Sequence, residues 1–483
     1  MNVDALVSLY VSGKYDAVIK VAEELAPDNR GHERAFRVAG LSLIRLGRYG
    51  EARRKIETAM VLSPQTSTVR SWLPRELLQS LLTDAPDFGW AMYQLAVLAF
   101  ENRDFASAMT LTSALVDDAE TPAPLRSAAV EILCELYRRQ LPWRDAAREI
   151  EHTLDRTAAH VAAPTAALFR GAMAYANGNS DGAEAAFSVV AADATAGVVE
   201  RIKAARGVAT FRTRLQEPAA AQKAFFDWRR RQSMADLAEP TPSDRFVLLC
   251  AADGRYVAMF AQSFIASALH QCGDTIIHMH IINPTAESAA ALQAIRRQIP
   301  WVRISTSTET VDFPAPRPYY ATARFLIAPE VLAAYKLPLI AADIDVAFVK
   351  SPLAGVRQIG NTDVGIKFNP SDRLEYPWIK VLATCTYFAP FASAFEYLAD
   401  VGKYFWDNYD PVGRKKCWWI NRNALLYAST GAKQTRLRIC DLAGTALDKV
   451  VEGSRPTEQK QDFIKRVSGR YSLQGLQKRR AVS

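Results

Sequence analysis

Several sequence patterns that define common protein classes are missing from these 483 residues. The six cysteines are scattered, without a CxxC pair or a Cys/His spacing typical of zinc sites, so reduced thiols are expected. No GxGxxG follows a predicted strand and no GxxxxGK precedes Ser or Thr, which excludes a standard dinucleotide-binding turn and a P-loop. Because no run of about 18 apolar residues occurs, a membrane-spanning helix is not expected either.

Charge of one sign is also sparse. Lys and Arg number 59 against 51 Asp and Glu, a net charge of +8, and residues 451–483 carry +5 of it. Such a modest excess argues against a dedicated nucleic-acid-binding protein. A basic tail at 451–483 is usually solvated, and its alternatives are peripheral contact with an anionic membrane, contact with an acidic acceptor, and RNA binding.

The amino-terminal residues do not resemble a signal peptide. They include an acid, Asp4, and no cation before Lys14. A cytoplasmic location is therefore expected, with attachment to the inner face of a membrane as the alternative.

The composition is 49% hydrophobic, 10% aromatic and 23% charged, which is typical of globular proteins. At about 150 residues per domain, the length predicts about three domains' worth of structure. The first part, 1–232, is rich in alanine and has apolar residues at helical spacing. A polar, proline-containing stretch then predicts a linker over 233–243.

A helical repeat recurs through the first part. In its clearest copy, Gly40 is followed by Gly47, the aromatic Tyr49, Ala52 and a closing Pro64. Four weaker copies have an equivalent alanine, spaced 38, 37 and 38 residues apart, at Ala108, Ala146, Ala183 and Ala221. The pattern resembles tetratricopeptide (TPR) repeats, in which stacked helix pairs share a core. Such an array either binds a protein partner on its concave face or supports its neighbour, and both interpretations stay open.

The next domain, predicted over 244–450, alternates strands and helices. The predicted order is strand 246–253, helix 256–269, strand 275–284, helix 286–298, strand 302–305, helix 322–334 and strand 337–342. This alternation predicts a mainly parallel sheet, whose ligands bind at the carboxyl ends of the strands. The predicted fold class is α + α/β, a TPR-like superhelix followed by an α/β domain.

An Asp-x-Asp (DxD) motif, Asp343-Ile-Asp345, directly follows the last predicted strand. On an extended chain both carboxylates would lie on one face and converge in the cleft. Two such carboxylates suit Mg²⁺ or Mn²⁺, which complete their shell with water and diphosphate oxygens. A solvated loop is the alternative for this short motif, and the buried strand before it favours the metal site.

Three ordered motifs occur between Asp244 and Tyr427. They are Ala252-Asp253-Gly-Arg-Tyr256, Tyr320-Ala-Thr-Ala-Arg324 and Leu339-Ile-Ala-Ala-Asp343-Ile-Asp345. With them the segment resembles a GT-A type glycosyltransferase, most closely the glycosyltransferase family 8 group. The resemblance implies a GT-A nucleotide-diphospho-sugar transferase fold for 244–450.

The resemblance also implies a donor site. The residues expected to contact the nucleotide-sugar are Ala252, Asp253, Tyr256, Tyr320, Arg324, Lys367 and Asn421. The expected catalytic residues are Asp343, Asp345 and Arg324, with Mn²⁺ or Mg²⁺ on the two aspartates. The ion would neutralise charge on the departing nucleoside diphosphate.

Two departures from that family's pattern support a rival interpretation. Asn421-Arg422 stands where the family has an Asp-Gln pair, and all six histidines precede the DxD motif, so no late histidine supplies a third metal ligand. Asp441 is a candidate third ligand, and Asp407 and Asp410 are candidates for the nucleophile or base. The rival interpretation is a non-catalytic scaffold that keeps the GT-A and TPR folds.

The expected function is transfer of a sugar, with a UDP-hexose as the favoured donor, to a glycan, a lipid-linked glycan or a protein. The resemblance implies retention of the anomeric configuration. The repeats would recruit the acceptor or a protein partner.

Overall fold

A computed structural model describes residues 3–24, 32–63, 73–159, 163–193, 204–208, 233–235, 237–314, 316–369, 374, 376–409, 420–431, 437–454 and 458–482. The chain forms two compact units. The N-terminal unit comprises Met1–Arg201 with Ser371–Leu374, and the C-terminal unit comprises Ile202–Pro370 with Glu375–Ser483. Among the described helices, none combines the length and apolarity needed to cross a membrane.

The described part of the N-terminal unit is helical. Its helices are α1 (Val3–Val11), α2 (Tyr15–Glu24), α3 (His32–Arg45), α4 (Tyr49–Leu62), α5 (Arg75–Asp84), α6 (Gly89–Glu101), α7 (Phe105–Asp117), α8 (Ala123–Gln140), α9 (Trp143–Arg156), α10 (Ala163–Ala176) and α11 (Ser180–Ala192). Tight turns join several successive helices, and Gly47 and Gly178 in such turns have φ of 72° and 75°, in the left-handed region that favours glycine.

The repeat pattern located helix pairs. The repeat alanines in the described chain lie near the starts of α4, α7, α9 and α11 and are 0% exposed, namely Ala52, Ala108, Ala146 and Ala183. Gly40 and Gly171 lie on the preceding helices, within van der Waals reach of Ile56 and Phe187 on the partner helices. Pro64 and Ala221 lie outside the described residues. The likeness to TPR repeats stays a prediction.

The C-terminal unit alternates strands and helices along most of its length. Its elements are β1 (Ser233–Ala235), β2 (Val247–Asp253), α12 (Gly254–Cys272), β3 (Ile276–Ile282), α13 (Ala286–Gln298), β4 (Arg303–Glu309), α14 (Arg317–Tyr335), β5 (Leu339–Ala342), β6 (Val346–Phe348), α15 (Leu353–Ile359), β7 (Val364–Phe368), a 3-10 turn (Pro377–Ile379), β8 (Val381–Phe388), α16 (Ala392–Asn408), α17 (Ile420–Gly431), β9 (Ile439–Asp441), β10 (Val451–Gly453), α18 (Lys460–Arg470) and α19 (Leu473–Val482).

Eight strands form one sheet in the order β1-β4-β3-β2-β5-β8-β7-β9, and β6 pairs with β10 separately. The central strands β4, β3, β2 and β5 are parallel, whereas β8 runs antiparallel to β5. The parallel half brings the carboxyl ends of β2, β3 and β5 to one edge of the sheet. Ligands of open α/β sheets bind at this edge.

Both faces of the sheet are covered, because buried residues of β2 alternate between two cores. Leu249 and Ala251 face a core formed with α14, α16 and α17. Leu248 and Cys250 face a core formed with α12, α13, α18 and α19. This three-layer arrangement confirms the predicted α + α/β organisation, while the GT-A assignment stays a prediction.

Two segments differ from their sequence-based predictions. Ser233–Ala235, at the start of the predicted linker, form β1 and pair antiparallel with β4. Residues 451–483, predicted as a basic tail, contain β10, α18 and α19, and Phe463 and Val467 are buried in the core. Net charge identified this segment as polar, but the helical spacing of its few apolar residues lets it pack on α12.

Candidate functional site

The first predicted motif lies at the carboxyl end of β2. Asp253 ends the strand and caps α12, because its Oδ1 accepts hydrogen bonds from the amides of Arg255 (2.9 Å) and Tyr256 (3.1 Å). Ala252 is buried within the strand, whereas the Tyr256 ring is partly exposed one turn into the helix. Ala252 therefore packs inside the domain, whereas the aromatic face of Tyr256 is accessible to a ligand.

The second motif begins beside the end of β3. The Asn283 side chain donates to the Tyr320 hydroxyl at 3.3 Å and to the Val311 carbonyl oxygen at 3.0 Å. Burial raises the pKa of Tyr320, and the charge of Asp253 also raises it, so the ends of β2 and α14 are electrostatically coupled. The structure thus brings the first two motifs together.

Arg324 and Asp343 form an ion pair at the carboxyl end of β5. Arg324 Nη1 lies 2.5 Å from Asp343 Oδ1, and the Arg324 side chain is 1% exposed whereas that of Asp343 is 34% exposed. Arg324 also donates to the carbonyl oxygens of Ala321 (3.0 Å) and Ala383 (2.7 Å). The resemblance implies that Arg324 contacts the nucleotide-sugar, which stays a prediction; in the structure its guanidinium is buried and paired with Asp343.

Burial dominates the electrostatics of Asp343. It raises the pKa of Asp343 above the ordinary value, and the charge of Asp345 adds to this effect, while Arg324 opposes it. About two-thirds of the Asp343 side chain is covered, and the remaining third is exposed to solvent.

Asn421 and Arg422, which differ from the family's Asp-Gln pair, lie in the same neighbourhood. The Asn421 side chain donates to the Ala321 carbonyl oxygen at 3.4 Å, which also accepts from Arg324. The pKa of Arg422 is lowered by burial, although Asp343 raises it. The site therefore has a second guanidinium close to Asp343.

The second aspartate of the DxD motif binds a different cation. β5 ends at Ala342, and residues 343–345 form a turn before β6, so the chain does not stay extended as predicted. The amide of Asp343 still donates to the Thr384 carbonyl oxygen at 3.2 Å, while Asp345 forms an ion pair with Lys460 at the start of α18. The separate pairing of β6 with β10 turns the chain here and brings Asp345 towards the C-terminal segment.

A cavity of about 170 Å³ opens beside this strand end. Its lining residues are Lys367, Leu382, Thr384, Cys385, Leu442, Leu447, Lys449 and Val451. Lys367 Nζ lies 2.5 Å from Asp448 Oδ1, and Thr384 links the cavity wall to Asp343. With Lys449 in the same wall, the cavity has more positive than negative charge.

The prediction of Mn²⁺ or Mg²⁺ on Asp343 and Asp345 does not fit these contacts. Each carboxylate binds a protein cation, and no third His, Cys, Asp or Glu joins them within the described chain. The candidate third ligand is Asp441. Its Oδ1 accepts hydrogen bonds from the amides of Phe368 (3.1 Å) and Ala443 (2.9 Å) and so stabilises the local backbone.

The two candidate nucleophiles are not both described. Burial raises the pKa of Asp407, near the end of α16. Asp410 lies outside the described residues. Asp407 is thus the one of the two whose surroundings the structure records.

Sequence reasoning did not identify four residues of this region. Lys449 and Lys460 fell within or next to the predicted tail, Thr384 was not named, and Arg422 was named only as a departure from the family's pattern. The basic character of 451–483 was the available signal for Lys460, but only long-range pairing shows which cation meets Asp345.

Comparisons with known proteins give limited similarity. No protein-family model and no curated protein matches this chain. One of the matching solved structures is described as WbbM, a bifunctional glycosyltransferase in its apo form, with 12% sequence identity and a TM-score of 0.34. The match covers 50% of this chain and 53% of that chain, so it spans about half of each.

Proposed function

We propose that the C-terminal unit is a glycosyltransferase that moves a hexose from a nucleotide-sugar, with a UDP-hexose as the favoured donor, to a glycan, lipid-linked glycan or protein. The observation that carries the proposal is the ion pair of the buried Arg324 with the partly exposed Asp343 at the carboxyl end of β5, beside the β2 end that bears Asp253. These are motif positions that resemble the family 8 group.

The surrounding residues can serve the parts of such a donor. The exposed face of Tyr256 suits stacking on a nucleotide base. Lys367, Lys449 and Arg422 provide positive charge where a diphosphate would leave. In the transfer, the bond from the anomeric carbon to the phosphate oxygen breaks, and the nucleoside diphosphate leaves with the electron pair. The acceptor hydroxyl oxygen forms the new bond to the anomeric carbon, and its proton passes to the leaving diphosphate or to solvent.

The N-terminal unit supplies a separate function in this proposal. Stacked helix pairs present extended surfaces, and we assign to them recruitment of the acceptor or of a protein partner. The rival proposal, a non-catalytic scaffold, is motivated by Asn421 and Arg422 in place of the family's Asp-Gln pair.

Release of nucleoside diphosphate from a panel of UDP- and GDP-sugars tests the enzyme proposal. Each donor is incubated with the full chain, with MnCl₂ and separately with EDTA. We expect one donor to be hydrolysed slowly without an acceptor, and Asp343→Asn to abolish that turnover. Glu396→Gln, an exposed neutralisation on α16, is the matched control and should keep it. Absence of turnover and binding for all donors would favour the scaffold.

A further inference from the structure

We infer that the site binds the diphosphate of its donor through lysine and arginine side chains and without a divalent ion, Lys460 providing the charge at Asp345. The inference rests on the proposed function. It concerns how the leaving group is bound, and it replaces the ion that the resemblance implies on Asp343 and Asp345.

The Asp345–Lys460 ion pair is the first step. An ammonium group bound to this carboxylate would repel a divalent cation and would have to move away before Asp345 could act as a ligand. The backbone of Lys460 is fixed by the packing of its helix, because Phe463 on α18 is buried against α12. Its Nζ also lies 5.7 Å from the centre of the Phe260 ring.

Asp343 is also paired with a protein cation. Its partner Arg324 is fixed by two backbone carbonyl oxygens, and its burial makes withdrawal from the carboxylate costly. Arg422 adds a further positive charge near Asp343. The two aspartates are therefore surrounded by three cations, an arrangement that favours an incoming anion over a metal ion.

The cavity next to Thr384 gives the anion a place to bind. Its volume is about 170 Å³. Lys367 and Lys449 line it, and Asp448 pairs with Lys367. The wall thus keeps a net positive charge, which complements the phosphates of a nucleoside diphosphate.

Calorimetric titration of the full chain with UDP, with GDP and with inorganic pyrophosphate, in EDTA and in MnCl₂, tests the inference. We expect UDP or GDP to bind with the same Kd in both buffers. Lys460→Gln should weaken binding about tenfold in both, the scale of about 1.4 kcal/mol. Lys449→Gln, an exposed change in the cavity wall, should weaken it too without affecting folding. The matched control is Lys465→Gln, also exposed and on the same helix as Lys460, which should leave Kd unchanged.

The outcomes separate the inference from the function on which it rests. Binding that disappears in EDTA and returns with MnCl₂ would overturn the inference and keep the transferase. Wild-type affinity in folded Lys460→Gln and Lys449→Gln would overturn the assigned cations. Failure of UDP and GDP to bind in either buffer would contradict the proposed function itself.

Discussion

The guanidinium of Arg324 lies 2.5 Å from the carboxylate of Asp343, and almost none of the arginine side chain is exposed. The contact joins α14 to the carboxyl end of β5, and the Ala383 carbonyl oxygen ties the same guanidinium to β8. Arg324 therefore orients Asp343 and is shielded from direct contact with a ligand.

Arg324→Met should destabilise the C-terminal unit by about 2 kcal/mol at neutral pH, because it leaves Asp343 without its buried partner. This loss is smaller than that for a fully buried pair because solvent screens part of the Asp343 carboxylate. Loss of the guanidinium raises the pKa of Asp343 further, so the folded variant gains a proton more readily than the unfolded chain. The deficit should therefore shrink as the pH falls from 7 to 5. Urea unfolding at both values measures it, with the exposed Arg297→Met as the control. An equal deficit at both values would argue against this role.

His278 should make the C-terminal unit less stable in acid. Its pKa is lowered to about 3 by burial and by the neighbouring His280, and both rings contact the Ser307 hydroxyl. Below about pH 6.5 His278 binds a proton in the unfolded chain but stays neutral in the folded chain. The stability that the neutral His278 contributes is therefore present above that pH and lost towards pH 3. The loss should approach about 1.4 kcal/mol per pH unit, and His278→Gln should remove one proton from the slope. Identical slopes for the two proteins would contradict the assignment.

Gly254→Ala should destabilise the turn that follows Asp253. A Cβ at this position would lie 2.6 Å from the Asn283 carbonyl oxygen and 2.9 Å from the Thr285 amide nitrogen, and backbone atoms cannot move aside cheaply. We expect a loss of about 2 kcal/mol, measured by urea unfolding. The matched control is Gly469→Ala on α18, where nothing lies within 4 Å and helix propensity favours alanine by up to about 1 kcal/mol. Equal stability of the two variants would show that β2 and β3 do not approach so closely.

The close packing of α10 on α11 depends on the lack of a side chain at Gly171. A Cβ on Gly171 would lie 2.6 Å from the buried Phe187 ring, so Gly171→Ala should cost about 1–3 kcal/mol. Gly50→Ala on α4, with open space around it, is the control. The double variant Gly171→Ala, Phe187→Leu should lose less stability than the two single losses added together. Strict additivity in thermal unfolding would mean that the two residues do not pack against each other.

Local patterns were sufficient for the predicted elements between residues 246 and 342 of the C-terminal unit. The predicted helix 286–298 matches α13, and the predicted strand 246–253 contains β2. These strands and helices each have a buried face, and continuous apolar runs or apolar residues at 3.6-residue spacing indicate such a face directly. The helix of Arg324 begins earlier than predicted, at Arg317, because Pro318 fits a first turn although it interrupts the apolar spacing.

The connections within the site could not be predicted in the same way. Asp343 and Asp345 were expected on one face, but a turn sends Asp345 to Lys460, which lies 115 residues later. Such a contact depends on the pairing of β6 with β10 and on the packing of α18, neither of which leaves a periodic signal. Charge composition located cations in the C-terminal segment without revealing their partners.

Hydrogen exchange of the full chain, with and without a saturating nucleotide-sugar that passes the turnover screen, tests donor binding most directly. We expect slower exchange in peptides covering 252–256, 341–349 and 382–386, and loss of that protection in Asp343→Asn. Unchanged exchange in these peptides, or protection confined to the N-terminal unit, would contradict donor binding at the carboxyl ends of β2 and β5.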